Sequence, residues 1–267
     1  IFNMKILSKL YNLQNRTVVL TGAGGNLAEK ISLILADLGA DLILISRKKK
    51  LKNNYDKKLN KLYPNLKLKK IICDLSKNKS RNALIKRLNK SKIHILINNA
   101  TFKENNLKGY ASGFKEQNLK KWKSSLEINL ICAFHLSQGL HRNLINSGNG
   151  SIINISSIYG VYPPVWKIYD GTNMGNSSAY ASAKAGLIQL TKWLSSTLAP
   201  KVRVNSISPG GIFRNQPKKF VNAYNKKTLL NRMASEEDLM GIVAYLASDA
   251  SSYVTGQNII VDGGWGN

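Results

Sequence analysis

Residues 17–28 read Thr-Val-Val-Leu-Thr-Gly-Ala-Gly-Gly-Asn-Leu-Ala, a short apolar run that passes through a glycine-rich turn into an amphipathic segment. The apolar run has the length of a buried strand, and the segment over 26–38 has the apolar spacing of a helix. A strand followed closely by a helix is the first half of a unit in which a second, parallel strand comes next. This stretch therefore predicts an α/β fold.

The rest of the chain repeats the pattern, because further short apolar runs alternate with helix-length amphipathic segments. The predicted strands are 17–21, 42–45, 68–73, 93–97, 151–155, 202–207 and 258–261. The predicted helices are 26–38, 77–89, 118–146, 178–198 and 235–248. This alternation predicts a doubly wound Rossmann fold: a seven-stranded, mostly parallel sheet with helices on both faces. Binding residues are expected at the carboxyl ends of the strands.

The composition fits one large domain. The chain has 267 residues, 43% of them hydrophobic, and we predict a single domain over 1–267 with an N-terminal extension over 1–15. The two cysteines, Cys73 and Cys132, lie beside apolar runs and are expected to be buried thiols of a reducing compartment, with neither a disulfide nor a metal site. No apolar run has the length of a membrane helix, and we predict a cytoplasmic protein with no membrane partner.

The formal net charge of +26 is unevenly distributed. Seventeen Lys or Arg residues lie between positions 48 and 92, against two acidic residues, Asp56 and Asp74. Such a stretch can bind nucleic acid. However, the lysines accompany many Asn and Ile residues, as in AT-rich genomes, and no series of aromatic side chains offers a stacking platform. We therefore favour solvated helix surfaces over a nucleic-acid site.

The glycine-rich turn suits a dinucleotide. Small residues there let backbone amides and the helix dipole approach a pyrophosphate closely, although an ordinary strand-to-helix turn can look the same. After the next strand come Ser46 and Arg47, where an enzyme that prefers NAD(H) usually places a carboxylate. Ser46 and Arg47 suit a 2′-phosphate, so NADP(H) is favoured and NAD(H) is the alternative. Arg47 could instead merely open a basic helix.

Residues after the third and fourth strands extend this site. Asp74 is a candidate to bind the adenine amino group, and Asn98 and Ala100 could line the adenosine pocket with little bulk.

Tyr180 and Lys184 stand four residues apart in a predicted helix, so that they share one face. An ammonium beside the phenol is expected to lower the phenol pKa and to make Tyr180 an acid/base group. A second pair with this spacing, Tyr63 and Lys67, flanks Pro64, which argues against a helix there.

Two polar groups accompany this pair. Ser157 closes the fifth strand and could hold a substrate oxygen, with Ser156 as the neighbouring alternative. Asn129 is a polar residue within an apolar helix, which indicates either a satisfied buried amide or a water relay to Lys184, and we favour the relay.

These motifs, with Arg-Val-Asn-Ser-Ile-Ser-Pro-Gly-Gly over 203–211 and the closing segment 255–264, resemble the short-chain dehydrogenase/reductase family. The resemblance covers residues 17–265. It implies hydride transfer on a small-molecule substrate, a catalytic tetrad of Asn129, Ser157, Tyr180 and Lys184, and a homodimer or homotetramer. It implies that Lys184 also binds the nicotinamide ribose. The implied cofactor-binding residues are Gly22, Gly24, Gly25, Asn26, Leu27, Ser46, Arg47, Asp74, Leu75, Asn99, Ala100, Tyr180, Lys184, Pro209, Gly210 and Ile212.

The sequence also departs from the family pattern. Asn26 and Ala28 stand where glycines are usual, and Thr101 replaces the glycine that usually follows Asn-Asn-Ala. Asn tolerates a left-handed backbone and Ala is small, so cofactor binding is expected to weaken and not to be lost. A threonine usual after the Pro-Gly turn is missing from 212–214.

An insert over 161–176, between Ser157 and Tyr180, is rich in aromatic and hydrogen-bonding residues, as carbohydrate sites are. With a substrate-loop region over 212–234, it resembles the flagellin modification protein A subgroup. This implies a sugar or sugar phosphate, whose phosphate could meet Arg214, Lys218 and Lys219. The alternatives are a 3-oxoacyl-acyl-carrier-protein reductase and a non-catalytic cofactor-binding scaffold.

Overall fold

The computed structural model describes residues 2–102 and 114–267. Its sheet has seven strands in the order β3-β2-β1-β4-β5-β6-β7, and every pairing is parallel. The strands are β1 Thr17–Thr21, β2 Asp41–Ser46, β3 Leu68–Ile72, β4 Ile95–Asn98, β5 Gly150–Ile155, β6 Val202–Pro209 and β7 Asn258–Val261. The predicted Rossmann architecture is confirmed.

The described helices lie on both faces of this sheet. They are α1 Phe2–Tyr11, α2 Asn26–Asp37, α3 Tyr55–Leu62, α4 Asn78–Leu88, α5 Leu119–Leu126, α6 Cys132–Asn146, α7 Ser178–Leu198, α8 Lys218–Lys227 and α9 Met240–Ala247. One apolar cluster joins α2, α3 and α9 to one face, and another joins α4, α6 and α7 to the other. Strands β5 and β6 are buried along their whole length because both faces are covered.

Three helices were not predicted from the sequence: α1, α3 and α8. Helix α3 lies in the basic stretch, where lysines mask the apolar spacing of the buried Tyr55 and Leu59. The predicted helix over 118–146 is interrupted by a π-helical turn at Glu127–Ile131. The predicted helix over 235–248 begins as a 3₁₀ turn at Glu237–Leu239 and becomes α-helical only at Met240.

The basic stretch does not expose a stacking platform at its two tyrosines. The Tyr55 hydroxyl is buried and donates to the Ala23 carbonyl at 2.8 Å, and the Tyr63 hydroxyl donates to Asp37 at 3.0 Å. Tyr63 follows the end of α3 and Lys67 precedes β3, so this second Tyr-Lys pair lies outside a helix, as predicted.

Cys73 and Cys132 are buried free thiols, as predicted, and burial raises the pKa of Cys132 to about 12. Within residues 2–102 and 114–267, no group of three or more His, Cys, Asp or Glu side chains is placed to hold a metal ion. No helix in this part of the chain is long and apolar enough to cross a membrane.

Candidate active site

The turn after β1 is locked to the turn after β4. Gly22 has φ +69°, and a Cβ there would lie 2.8 Å from the Ala100 Cα. The Thr21 hydroxyl accepts the backbone N–H groups of Asn99 and Ala100 at 2.9 and 3.0 Å, and the Asn99 amide donates to the Thr21 carbonyl at 3.0 Å. Only glycine fits at position 22, because any side chain would push the two loops apart.

Helix α2 begins directly after this turn, at Asn26. Among the described residues, Asn26 is not one of those with positive φ, so the left-handed backbone that we expected an asparagine to accommodate is not required here. Ala28 is fully buried in the core, where its methyl group fits the close packing. At Gly25, in this described segment, no side chain caps the helix, so its first N–H groups remain available to an anion.

Three of the predicted adenosine-binding residues, Ser46, Arg47 and Asp74, lie at the ends of β2 and β3. The Ser46 hydroxyl lies 3.4 Å from where a Cβ on Gly24 would be, and it accepts the Lys48 N–H at 3.1 Å. Arg47 is exposed. A hydrogen bond from the Ser76 hydroxyl at 2.7 Å lowers the pKa of Asp74, and the charges of Lys77 and Arg47 lower it further. Arg47 is therefore near enough to Asp74 for its charge to act on that carboxyl.

Ser157, Tyr180 and Lys184 meet at the carboxyl edge of the sheet. Ser157 is hydrogen-bonded to the Tyr180 phenol and accepts the Tyr159 N–H at 3.2 Å. The Lys184 Nζ lies 5.6 Å from the Tyr180 ring centroid and donates to the Ile155 carbonyl at 2.6 Å.

The alternative serine faces elsewhere. The Ser156 hydroxyl donates to the Lys184 carbonyl at 2.9 Å, against the backbone of α7. Of the two serines, Ser157 is therefore the one that shares a site with Tyr180.

The pKa of Tyr180 is shifted upward, opposite to the direction expected from the neighbouring ammonium. Burial raises the pKa of Tyr180, and the Ser157 hydrogen bond only partly offsets that effect. Burial also lowers the pKa of Lys184 to about 7. Burial therefore disfavours the charged forms of both side chains, the phenolate of Tyr180 and the ammonium of Lys184.

Asn129 lies in the π-helical turn and is 2% exposed. Its Oδ1 accepts from the Thr101 hydroxyl at 2.9 Å, and its Nδ2 donates to the Ser125 hydroxyl at 3.1 Å. The side chain is thus a satisfied buried amide. π-Helical turns are uncommon and often lie at functional sites, so the relay stays a prediction.

Sequence reasoning missed Arg81, which is 2% exposed. Its guanidinium donates to the Leu75 carbonyl at 2.6 Å and to His135 Nδ1 at 2.9 Å, and it pairs with Glu127 at 2.6 Å. Arg81 thereby ties the loop after β3 to the start of the π-helical turn. Within a stretch of seventeen cationic residues, the sequence carried no signal that singled it out.

The insert over 161–176 packs mainly into a third apolar cluster with α8 and the C-terminal segment. Tyr169 contacts the Phe220 ring, and Tyr224 stacks on the buried Trp265 with centroids 4.4 Å apart. A polar edge of the insert lies beside Tyr159, which precedes the insert: the hydroxyls of Tyr159 and Tyr169 bond to each other, and both bond to Asn176. The Tyr180 phenol contributes to raising the pKa of Tyr159, which places Tyr159 near Tyr180.

The loop after β6 is held in place. Gly210 follows Pro209 and donates its N–H to the Val261 carbonyl at 2.9 Å, and Ile212 bridges to Ala234. Arg214 pairs with Glu236. The expected contact of Arg214 with a substrate phosphate is therefore not favoured, because its guanidinium is already engaged.

Comparisons with known proteins agree with this fold. A family model described as enoyl-(acyl carrier protein) reductase matches residues 22–266. The 3-oxoacyl-acyl-carrier-protein reductase FabG of Rickettsia typhi is 32% identical over 96% of this chain and 98% of its own length. A crystal structure of a short chain dehydrogenase from Leptospira borgpetersenii with bound NAD+ is 31% identical, with a TM-score of 0.82 over 97% of this chain and 95% of that one.

A third relative matches over a shorter stretch. The post-translational flagellin modification protein A of Campylobacter coli is 38% identical over 53% of this chain. The matched stretch spans 56% of that relative's length.

Proposed function

The chain belongs to the short-chain dehydrogenase/reductase family and is an NAD(P)-dependent oxidoreductase, and we propose that its substrate is a hydroxylated, sugar-derived carbonyl or alcohol. The observation that carries the chemistry is the grouping of Ser157, Tyr180 and Lys184 at the carboxyl edge of the sheet, the same edge at which the glycine turn follows β1. The reaction class follows from the family, whereas the role of each residue is our proposal.

The residues at the glycine turn fit a dinucleotide, because Gly22 leaves no room for a side chain and α2 begins uncapped at Gly25 within the described chain. When bound, the nicotinamide supplies or accepts the hydride. The cofactor-binding residues given above from the family resemblance, from Gly22 through Ile212, would hold it.

The catalytic side chains handle the proton and the substrate oxygen. In the reducing direction, the Ser157 hydroxyl donates a hydrogen bond to the substrate oxygen, and the Tyr180 Oη gives that oxygen its proton. Protonated Lys184 then stabilises the phenolate, and Asn129 lies on the path by which solvent returns the proton. The attraction between the ammonium and the phenolate is stronger in a dry site than in water, which offsets part of the cost of burying both charges.

The polar edge of the insert supports the sugar assignment. Tyr159 lies near Tyr180, and its hydroxyl is hydrogen-bonded to Tyr169 and Asn176, so that polar groups stand where an acyl chain would need an apolar wall. The flagellin modification relative supports the same class. Lys219 approaches the insert at Gly171 and, with Lys218, remains a candidate for a substrate phosphate.

A substrate panel tests this proposal. Oxidation of NADPH or NADH would be followed with keto-sugars, their phosphates, nucleotide-linked sugars and a short 3-oxoacyl thioester. We expect turnover of a sugar derivative. In a Tyr159→Phe variant, we expect the KM for that derivative to rise by about tenfold, because one hydroxyl is lost. Turnover of the thioester alone would contradict the proposal and favour the 3-oxoacyl reductase alternative, which the full-length similarity to the Rickettsia typhi protein supports.

The cofactor preference is a separate proposal, in favour of NADP(H). Arg47 is exposed at the end of β2, close enough to Asp74 for its charge to act there. An Arg47→Gln variant is expected to weaken NADPH binding by about tenfold and leave NADH binding unchanged, because only NADPH carries the 2′-phosphate. Titrations at physiological salt check this, with the exposed neighbour Lys49→Gln as the matched control. Tighter binding of NADH by the unmodified protein would overturn the preference.

We further propose a homo-oligomer in a reducing, cytoplasmic setting, with no nucleic acid as a partner. Three large apolar side chains are exposed on elements that carry or follow the site residues. They are Ile131 in the π-helical turn, Phe134 in α6 and Trp193 in α7. Leu187 of α7, by contrast, is 1% exposed and is buried within the chain itself. The free buried thiols support the compartment.

A further inference from the structure

Thr101 stands where the loop after β4 leaves the cofactor turn. Its two predecessors, Asn99 and Ala100, are fixed by the Thr21 hydroxyl, and Ala100 lies against Gly22. The backbone that carries Thr101 is therefore anchored to the turn on which the dinucleotide would rest. A β-branched side chain on such a backbone has few rotamers, so its hydroxyl is held in a defined direction.

That hydroxyl points to the π-helical turn. It donates to the Oδ1 of Asn129 at 2.9 Å, while Ser125 accepts from the Nδ2 of the same amide at 3.1 Å. The Asn129 amide is thus held from both sides, by one residue of its own helix and one residue of the cofactor loop. A glycine at position 101 would remove the second anchor and leave a buried amide oxygen without that partner.

The π-helical turn depends on stabilising contacts such as the hydrogen bond from Thr101. Its i to i+5 pairing is less favourable than α-helical pairing, and it persists where the surroundings stabilise it. If Glu127–Ile131 continued as a regular α-helix, Asn129 would rotate about the helix axis relative to its present partners. The Thr101 bond is one contact that would be lost in that rearrangement.

We propose that Thr101 is a positioning residue that holds the Asn129 amide and the π-helical turn in register with the cofactor loop. The effect of this register on the rate rests on the proposed role of Asn129 in proton return. Thr101 itself transfers no proton. Its hydroxyl holds the loop after β4, which contacts the cofactor turn, at a fixed distance from the π-helical turn that carries Asn129.

A pair of variants tests the proposal. Thr101→Val keeps the shape and removes the hydroxyl, and Thr101→Ser keeps the hydroxyl. We expect Thr101→Val to lower kcat by about tenfold with the cofactor Kd changed less than about twofold, and Thr101→Ser to retain most of kcat. Thr197→Val is the matched control, because its hydroxyl bonds to the Trp193 carbonyl on the exposed side of α7.

A second measurement does not depend on turnover. Hydrogen exchange at the backbone amides of 127–131 is expected to quicken by about tenfold in Thr101→Val and to stay near the unmodified rate in Thr101→Ser and Thr197→Val. Unchanged exchange in Thr101→Val, or equal acceleration in the Ser variant, would overturn the proposal. If exchange responds as expected while kcat does not, the positioning stands and the relay role of Asn129 fails.

Discussion

A Tyr180→Phe variant is expected to lose at least about a thousandfold in kcat while it still binds NADPH and NADH as the unmodified protein does. The substitution removes only the phenolic hydroxyl, which is hydrogen-bonded to Ser157. The aromatic ring stays, and with it the packing beneath the Lys184 Nζ, 5.6 Å from the ring centroid. Steady-state kinetics on the substrate that the panel identifies, together with a binding titration, check the two halves of this expectation.

Tyr63→Phe is the matched control. Tyr63 heads the other Tyr-x-x-x-Lys segment of the chain, and its hydroxyl donates to Asp37 on an exposed surface at 3.0 Å. Its loss is expected to leave kcat unchanged. If Tyr180→Phe kept activity within about tenfold of the unmodified protein, another group would be the proton donor. If the substitution also left the biological pathway unaffected, the non-catalytic scaffold would be favoured.

The elements that carry this site could be predicted from the sequence because their signals are local. Each signal occupies only a few consecutive residues: the glycine turn, the apolar strands and the spacing of Tyr180 and Lys184. The parallel sheet then places the carboxyl ends of the strands at one edge. The choice of Ser157 over Ser156 needed the structure, because it depends on which hydroxyl faces α7.

Other features depend on segments far apart in the chain. The pKa directions of Tyr180 and Lys184 follow from burial, which no i to i+4 spacing records. Arg81 is buried because partners 46 and 54 positions away, Glu127 and His135, enclose it. The aromatic residues of the insert looked like a sugar platform, but Tyr169 and others pack on α8 and the C-terminal segment.

The pH dependence of reduction is expected to reflect Lys184. Burial lowers the pKa of Lys184 to about 7, so its ammonium form predominates below about pH 7 and is lost as the pH rises. The pKa of Tyr180 is raised, so the phenol stays protonated over the same range and does not cause the loss. The value of kcat/KM for the dinucleotide, which reports the free enzyme, is therefore expected to be level below about pH 7. Above that pH, it should fall about tenfold for each further pH unit if only the ammonium form is competent.

The profile is best measured from about pH 6 to about pH 9 by varying the dinucleotide while the carbonyl substrate is saturating, with buffers of constant ionic strength. A Lys184→Arg variant should abolish the fall, at a lower overall rate, because a guanidinium keeps its charge throughout this range although its shape differs. Lys192→Met, on the exposed side of the same helix, should leave the profile unchanged. A level profile in the unmodified protein would mean that Lys184 keeps its charge to higher pH, and that a counter-charge offsets the cost of its burial. In that case, the ammonium would lie beside the phenol at every physiological pH and would favour the ionised form of Tyr180.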